Sequence, residues 1–318
     1  MSGDRREGTG YMVAGTVLVT GASGFVGLAL VPQLRSAGYR VVAATRNPDK
    51  FEGLEAVRLP SPAEPAEAFA HIVANVDHVV HLAAIAHTQL AGAAATYHAV
   101  NCELAAKLAE AAHRTIAGKF VFVSSIRAQC GSVHSGVAVE SDPPQPTDDY
   151  GRAKLAAEAE IASIMTRGNY TILRPVLVYG AGVKGNMAAL SKLASLRAAL
   201  PLKSLDARRS LLDRASLCAA IIHSLRETGT DAGTFIVADK SPVTVPQIIT
   251  AIRRGLGRKP GLFSCPTWVL AAAARLTGQG ARWQTMNGDL IASSAMLQST
   301  GWSAVENSAR RIEDLSRH

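Results

Sequence analysis

Apolar residues in the first half of the chain fall into short continuous runs, separated by longer segments of helical character. The runs predict strands at 16–20, 39–45, 55–60, 77–83, 119–125 and 170–175. The segments between them predict helices over 25–37, 63–75 and 94–114, and from Tyr150 to about residue 166. Strands that alternate with helices favour a parallel sheet, whose strands are apolar throughout because helices cover both faces. We therefore predict an α/β fold with a doubly wound parallel sheet.

The pattern changes after Pro175. Residues 180–212 are loop-rich with one helix, and a short strand is predicted over 234–238. Further helices are predicted near 213–227, 245–256, 266–276 and 305–315. This part of the chain predicts a small C-terminal lobe over the C-terminal edge of the sheet.

Composition and charge narrow the classes of partner. The net charge is +8, but the basic residues are scattered and no aromatic platform for stacked bases is present. We therefore predict no nucleic acid and favour a phosphate-bearing small substrate. The four cysteines stand apart and the nine histidines form no ligand set, which predicts reduced thiols and no metal site.

No targeting or spanning segment is evident in the pattern. The longest apolar run, 266–276, is interrupted by Arg275 and is too short for a bilayer, so no membrane insertion is expected. The polar start of the chain lacks the apolar core of a signal peptide. We expect a cytoplasmic protein whose residues 1–13 form a disordered tail.

Three glycines follow the first predicted strand. Gly21, Gly24 and Gly27 open the next predicted helix. Glycines at this place let the backbone turn tightly and approach a pyrophosphate, whose charge then meets the helix N-terminus. The spacing indicates a Rossmann-type dinucleotide site, although a plain structural turn would also carry these glycines.

The end of the second strand bears on which nicotinamide cofactor binds. An acidic residue there would bind the adenosine ribose and favour NAD, but this chain has Thr45, Arg46 and Asn47. Arg46 could meet a 2′-phosphate, which favours NADP and leaves NAD possible. It could also stack on adenine or simply be exposed.

Tyr150 and Lys154 would share one face of a predicted helix, because they are four residues apart. Such a pair can be a solvated surface contact. In a catalytic setting the ammonium would lower the pKa of the phenol from about 10, so that the tyrosine could exchange protons near neutral pH.

Six stretches in a fixed order carry a resemblance to a known family: "VTGASGFVG" (19–27), "HLAA" (81–84), Val100–Asn101, "FVFVSS" (120–125), "YGRAK" (150–154) and "LRPVLVYG" (173–180). The chain resembles the extended short-chain dehydrogenase/reductases of the NAD-dependent epimerase/dehydratase family, which act on nucleotide sugars. The resemblance covers nearly the whole chain. It implies a dinucleotide-binding domain over 14–178, and residues 179–318 as mainly a nucleotide-sugar-binding lobe with some segments returning to the Rossmann core.

The resemblance also implies roles for individual residues. Ser125 would join Tyr150 and Lys154 as the catalytic set, since the family's spacing to the tyrosine selects it over Ser124, which would face the other side of the strand. Tyr150 would exchange a proton with a sugar oxygen held by Ser125, and Lys154 would also bind the nicotinamide ribose. The implied cofactor-binding residues are Gly21, Ser23, Gly24, Phe25, Val26, Gly27, Arg46, Leu82, Ala83, Ala84, Asn101, Tyr150, Lys154 and Pro175. Asn101 could equally be a buried structural amide.

At its other end the substrate would carry a nucleoside diphosphate. Besides Ser125, the resemblance implies Asn186 near the sugar and diphosphate, with Lys184 as a weaker candidate. It places Arg209 and Arg282 at the diphosphate, where a planar guanidinium matches phosphate oxygens. Each arginine could also be an exposed surface residue.

The residues after Ser125 bear on the reaction. A dehydratase would carry an acid–base pair there, whereas this chain has Ile126 and Arg127. The stretches "SSIR" (124–127), "RPVLVYGAGVKGNM" (174–187) and "RRSLLD" (208–213) resemble bacterial reductases of UDP-4-keto-6-deoxy-N-acetylhexosamines. This resemblance implies a reductase of the C4 ketone, making a UDP-N-acetylquinovosamine type product for surface polysaccharide. A UDP-sugar 4-epimerase with tightly bound NAD is the alternative. A non-catalytic dinucleotide sensor or scaffold is disfavoured because Tyr150 and Lys154 are both present. By resemblance we also expect a homodimer, formed through the 94–114 helix and the Tyr150 helix.

Overall fold

The computed structural model describes residues 14–51, 53–86, 93–183 and 185–317. The tail predicted over 1–13 and the candidate Lys184 lie outside these described residues. Within them the strands are β1 Thr16–Thr20, β2 Arg40–Thr45, β3 Glu55–Arg58, β4 His78–His81, β5 Phe120–Val123, β6 Val137–Ala138, β7 Tyr170–Pro175, β8 Leu177–Tyr179, β9 Arg208–Arg209, β10 Leu211–Asp213, β11 Gly233–Val237, β12 Val243–Thr244 and β13 Ile291–Ala292.

The helices of the same ranges are α1 Gly27–Ser36, α2 Ala66–Val73, α3 Ala93–Tyr97, α4 Leu104–Thr115, α5 Ile126–Gln129, α6 Asp149–Ile164, α7 Gly185–Ser195, α8 Arg214–Arg226, α9 Val245–Gly255, α10 Thr267–Leu276, α11 Gly280–Met286, α12 Ala295–Ser299 and α13 Ser308–Leu315. A π-helical turn, His98–Glu103, joins α3 to α4. The predicted helix over 94–114 is therefore present, with a π turn inside it.

The core is a seven-stranded sheet in the order β3-β2-β1-β4-β5-β7-β11. Each neighbouring pair in it is parallel. The predicted α/β fold with a doubly wound parallel sheet is confirmed. The last strand, β11, lies far along the chain yet completes the edge beside β7, because Phe235, Ile236 and Val237 are buried there.

The two faces of the sheet carry separate hydrophobic clusters. Val17 and Val19 of β1 pack into one cluster with Leu30 of α1 and Leu217 of α8. Leu18, between them, packs into the other cluster with residues of α2, α4 and α6. This division follows from the alternation of side chains along a strand and shows that helices cover both faces.

A third cluster belongs to the C-terminal half of the chain. Tyr179 and Met187 pack there with Ile248 and Ile252 of α9 and with Ile312 of α13. Short strand pairs, β8 with β10 and β9 with β12, accompany this cluster.

Two findings concern the class of protein. Among the residues described, none of the helices combines the length and apolarity needed to cross a lipid bilayer. Within the same ranges, no group of three or more His, Cys, Asp or Glu side chains is placed to hold a metal ion.

A buried ion pair fastens α6 to the sheet. Arg174 of β7 donates from Nε to both carboxylate oxygens of Glu158 of α6, at 3.0 and 3.1 Å. Their side chains are only 7% and 5% exposed. Ser124 donates its hydroxyl to Glu158, and Arg174 donates to the Gln129 side chain. Buried charges of this kind are tolerated when such added hydrogen bonds satisfy them.

We expect Arg174→Met to lower the free energy of unfolding by about 3–5 kcal/mol, because Glu158 would be left buried without its counter-charge. Arg152→Met is the matched control. Arg152 lies on the same helix, but its ion pair with Asp149 is exposed, so its loss should cost under about 1 kcal/mol. Urea unfolding of both variants measures the difference. Equal losses would contradict a supporting role for the buried pair.

Candidate active site

The glycine turn after β1 is built for close approach of the backbone. Gly21 has a φ of +68°, in the left-handed region, and a Cβ there would lie 2.9 Å from the amide nitrogen of Ala83. A Cβ at Gly27 would lie 2.6 Å from Ala22 Cα. Ser23 and Gly24 are exposed at the tip of the turn. Helix α1 then begins without a side-chain cap and without an acidic residue in its first turn. Its N-terminus therefore suits an anionic group.

The segment after β4 forms the neighbouring wall of this turn. Thr20 Oγ1 accepts hydrogen bonds from the amides of Leu82 and Ala83, at 3.1 and 3.2 Å. The same hydroxyl lies 2.8 Å from His81 Nδ1. Burial and, to a smaller extent, the charge of Lys154 lower the pKa of His81 to about 3, so this imidazole is neutral. Thr20 therefore links two segments for which a cofactor role is predicted.

Asn101 fixes the same segment from the other side. Its side chain is fully buried, accepts from the amide of Ile85 and donates to the carbonyl of Ile85, both at 2.9 Å. These bonds fit the structural role considered for Asn101, and its contact with the cofactor stays a prediction. It orders the residues beside the exposed Ala84.

Ser125 and Ser124 point to different sides of the chain after β5. Ser125 has extended backbone angles and is the N-cap residue of α5, where its Oγ accepts from the amide of Arg127 at 3.2 Å. Its side chain also hydrogen-bonds to Tyr150, in the first turn of α6. Ser124 is buried and bonded to Glu158 instead. The structure thus pairs Tyr150 with Ser125.

The environment of Tyr150 raises the pKa of its phenol. Burial is the main cause, opposed by the hydrogen bond from Ser125 and by the positive charge of Arg127. The ring of Tyr97 meets that of Tyr150 edge-on, with centroids 6.0 Å apart. At neutral pH the group is therefore a protonated phenol.

Lys154 is buried and contacts the end of β5. Its Nζ donates to the carbonyl of Val123 at 2.9 Å and lies 4.4 Å from the centroid of the Phe122 ring. Burial lowers the pKa of Lys154 to about 7, and the Glu158 carboxylate opposes that change. The sequence assigned to Lys154 the lowering of the tyrosine pKa. In this structure the positive charge of Arg127 has that effect on Tyr150, and the role given to Lys154 stays a prediction.

Sequence reasoning missed the contact that Arg127 makes. Its guanidinium forms an ion pair with Asp148, the N-cap residue of α6. Asp148 Oδ1 in turn accepts from the amide of Gly151 at 2.7 Å. The available signal was an Asp just before the tyrosine helix and an Arg two residues after the serine, but nothing in their spacing joins them.

The remaining predicted residues are dispersed. Phe25 and Val26 are half-buried in the glycine turn, and Arg214 donates to the Phe25 carbonyl at 3.3 Å. Pro175 is buried at the end of β7. Arg46 is exposed directly after β2, in a bend.

Arg209 joins two loops near the site. It donates to the carbonyls of Ser132, at 3.1 Å, and Gly288, at 2.9 Å. Burial lowers the pKa of its guanidinium, and the charge of Arg127 adds to that effect. Asn186 lies in α7 and Arg282 in α11, but their side chains are outside the described part of the structure.

Comparison with known protein families assigns the region that holds these site residues to one family. The model of the NAD dependent epimerase/dehydratase family matches residues 17–238, which include the glycine turn, Ser125, Tyr150 and Lys154. The chain belongs to this family. The resemblance stated from the sequence is thereby confirmed.

Two relatives give the range of activities within the family. The chain is 28% identical to a UDP-glucose 4-epimerase from Vibrio cholerae over 90% of each chain. It is 32% identical to a dTDP-4-dehydrorhamnose reductase from Burkholderia thailandensis, over 57% of this chain and 56% of that protein.

Solved structures of other proteins share the fold. A UDP-N-acetylglucosamine 4-epimerase from Bacillus cereus has a TM-score of 0.77 and 20% identity, covering 95% of this chain and 98% of its own. MoeE5 in complex with UDP-glucose and NAD has a TM-score of 0.73 and 24% identity, covering 95% and 97%. At these identities the likeness shows the family's fold.

The buried lysine makes a pH-dependent prediction for the protein without cofactor. Because the folded-state pKa of Lys154 is about 7 and its ordinary value is 10.5, the unfolded chain holds more protons between these values. Stability should therefore rise with pH there, by roughly 1.4 kcal/mol per pH unit. Lys154→Met removes this pH dependence. The free energy of unfolding of the variant minus that of the native protein should therefore be about 2 kcal/mol more favourable at pH 7 than at pH 9.

Urea unfolding at the two pH values measures the effect. Lys203→Met, at an exposed lysine, is the control and should differ from the native protein equally at both. A pH-independent difference for Lys154→Met would show that the lysine is not titrating in the folded protein.

Proposed function

We propose that this protein is an NAD(P)-dependent enzyme acting at C4 of a UDP-linked hexose, with UDP-sugar 4-epimerisation as its first candidate reaction. The observation that carries the proposal is the Ser125–Tyr150 pair. Ser125 follows β5 at the carboxyl edge of the parallel sheet, and Tyr150 lies in the first turn of α6. Ligands of open parallel sheets bind at that edge. The similarity to a UDP-glucose 4-epimerase over 90% of both chains supports this choice among the family's reactions.

The residues around the glycine turn fit a nicotinamide dinucleotide. Close approach at Gly21 and Gly27 leaves room for a pyrophosphate against the uncapped start of α1, where Ser23 and Gly24 are exposed. Leu82, Ala83 and Ala84 would form the second wall, and Pro175 would close the nicotinamide end. When bound, the cofactor would supply an acceptor or donor of hydride. Solved family members carry NAD, which supports NAD here.

The side chains of this chain would handle the proton. Ser125 Oγ would hydrogen-bond the C4 oxygen of the sugar, and Tyr150 Oη would exchange the proton on that oxygen. The raised pKa keeps Tyr150 protonated at neutral pH, so the phenol carries a proton for a ketone oxygen, and it also makes Tyr150 a weaker acid. Arg127 favours the phenolate that remains, and Lys154 supports the strand end beside Ser125.

The C-terminal lobe would hold the nucleotide end of the substrate. Arg209, Asn186 and Arg282 are the candidates from the sequence for binding the sugar and diphosphate. The likeness to MoeE5, which was solved in complex with UDP-glucose and NAD, supports a UDP-sugar as the ligand. We also propose a homodimer through α4 and α6, as the family resemblance implies.

A 4-ketoreductase is the second candidate, favoured by Arg46. This arginine is exposed directly after β2, and neither Thr45 nor Asn47 beside it is acidic. It could meet the 2′-phosphate of NADP, a cofactor suited to an enzyme that exchanges it in each turnover. The likeness to a dTDP-4-dehydrorhamnose reductase supports this class. Its proposed substrate is a UDP-4-keto-6-deoxy-N-acetylhexosamine, giving a UDP-N-acetylquinovosamine type product for surface polysaccharide.

One pair of assays separates the two candidates. Purified protein is mixed with UDP-glucose or UDP-N-acetylglucosamine, and the C4 epimer is measured by chromatography. It is then mixed with NADPH or NADH and the 4-keto sugar, and absorbance of the reduced nicotinamide is followed. Epimer formation without net loss of absorbance, with NAD released on denaturation, supports the epimerase. Steady substrate-dependent loss of absorbance supports the reductase.

Tyr150→Phe should lower kcat by about 10²–10⁴-fold in whichever assay is active, because the proton-exchanging hydroxyl is lost. Nicotinamide binding, measured by calorimetry, should stay within a few-fold of the native value. Tyr39→Phe removes the hydroxyl of a buried tyrosine whose ring meets that of His78, and it serves as the control, with kcat unchanged. Full turnover by Tyr150→Phe would refute the assigned role.

Two glycine variants should separate folding from cofactor binding. Gly27→Ala places a methyl group against Ala22 and should lower the free energy of unfolding by about 1–3 kcal/mol. A Cβ at Gly24 meets only the Gly21 carbonyl oxygen, at 3.1 Å, among its protein neighbours, so Gly24→Ala should fold normally. Its methyl group would instead stand where the pyrophosphate approaches and weaken NAD binding by roughly tenfold or more. Unchanged NAD binding by a folded Gly24→Ala variant would argue for a purely structural turn.

A further inference from the structure

We propose that Arg127 is a positioning residue for the reaction, which joins Ser125 and the helix of Tyr150 into one unit and holds a fixed positive charge beside the phenol. The inference rests on the proposed function, which makes Ser125 and Tyr150 the reacting pair.

Arg127 is attached to both members of that pair. Its amide donates to Ser125 Oγ at 3.2 Å, which fixes the serine hydroxyl. Its guanidinium pairs with Asp148, whose carboxylate also caps α6 through the Gly151 amide at 2.7 Å. A Cβ at Gly151 would collide with the Arg127 carbonyl, so the first turn of α6 packs directly on α5. Serine, arginine and tyrosine helix are thus held by one continuous set of contacts.

The ion pair differs from an ordinary surface pair on the same helix. Arg127 and Asp148 have side chains 32% and 34% exposed and join two separate helices. Arg152 and Asp149 have side chains 55% and 42% exposed and lie three residues apart on α6. The Nε of Arg127 is buried and has no hydrogen-bond partner among the described residues, so the guanidinium is oriented chiefly by Asp148. Partial burial also reduces solvent screening of its charge.

The charge of Arg127 acts on the phenol from a separate helix, α5. The groups facing Tyr150 are Tyr97, edge-on from α3, and Ser125 and Arg127 at α5. On its own helix, Asp148 is paired with Arg127, and Lys154 donates to Val123. Arg127 and the Ser125 hydroxyl favour the phenolate, whereas burial and Tyr97 disfavour it. Arg127 therefore acts through Tyr150.

The test titrates Tyr150 by ultraviolet difference absorbance of its phenolate, with the Tyr150→Phe spectrum subtracted. It uses the full chain, with and without NAD, over the pH range in which circular dichroism shows an intact fold. Arg127→Met removes the charge and the ion pair, Arg127→Gln removes only the charge and keeps an amide for Asp148, and Arg127→Lys keeps the charge. Arg152→Met is the matched control.

Arg127→Met and Arg127→Gln should move the Tyr150 midpoint to higher pH by about one unit, since the loss of a nearby opposite charge has that size. Where the midpoint lies above the accessible range, the phenolate fraction at its upper limit should fall correspondingly. Arg127→Lys and Arg152→Met should titrate like the native protein. If Arg127→Met does not fold, Arg127→Gln alone decides. Titration of the charge-free variants at the native midpoint would overturn the proposal.

Turnover then tests positioning and separates this inference from the proposed function. In the active assay, Arg127→Met should lower kcat by about tenfold, equal to roughly 1.4 kcal/mol of barrier, with KM within a few-fold, and Arg127→Lys should recover part of it. If the Tyr150 titration shifts in the charge-free variants but the native protein shows neither epimerase nor reductase activity, the effect of Arg127 on Tyr150 is supported and the proposed reaction is wrong. Native kcat in Arg127→Met would overturn the positioning role even if the reaction is right.

Discussion

The contact on which the site depends is the buried ion pair between Glu158 and Arg174. Two buried charges are stable only when they are paired, and this pair forms only at one position of α6 along β5 and β7. That placement puts Lys154, one turn before Glu158, under the carbonyl of Val123. It also leaves Ser124 to the ion pair and Ser125 to Tyr150. The chemistry at the sheet edge is therefore arranged by a contact that takes no part in it.

The sheet and the glycine turn could be predicted from the sequence, for physical reasons. Parallel strands buried on both faces are continuous apolar runs, and the turn needs glycine where a Cβ would strike Ala22 or Ala83. The assignment of Ser125 over Ser124 agrees with the observed alternation of the two side chains. Such features depend on neighbours in the chain or on one repeated rule, so one sequence suffices to predict them.

Other features depend on partners far apart in the chain. The Arg127–Asp148 pair, the bonds of Asn101 to Ile85 and the two-residue strands β9 and β12 have no periodic signal. The surroundings of Lys154 show a different limit. Helical spacing places a lysine beside a tyrosine, but it does not reveal that burial holds the pKa of that lysine to about 7 and directs its ammonium to Val123. Desolvation depends on the whole packed core, and the spacing of two residues carries no information about it.

The hydrogen bonds that hold Arg209 affect the entropy change of ligand binding. A free arginine side chain holds about 2 kcal/mol of rotamer entropy, which a ligand normally has to remove. Here the carbonyls of Ser132 and Gly288 have already immobilised the guanidinium during folding. A guanidinium has five N–H donors, so two bonds to the loops leave others for a diphosphate if it binds there as proposed. The ligand would then meet a preorganised arginine, and its own ordering would account for most of the entropy lost on binding.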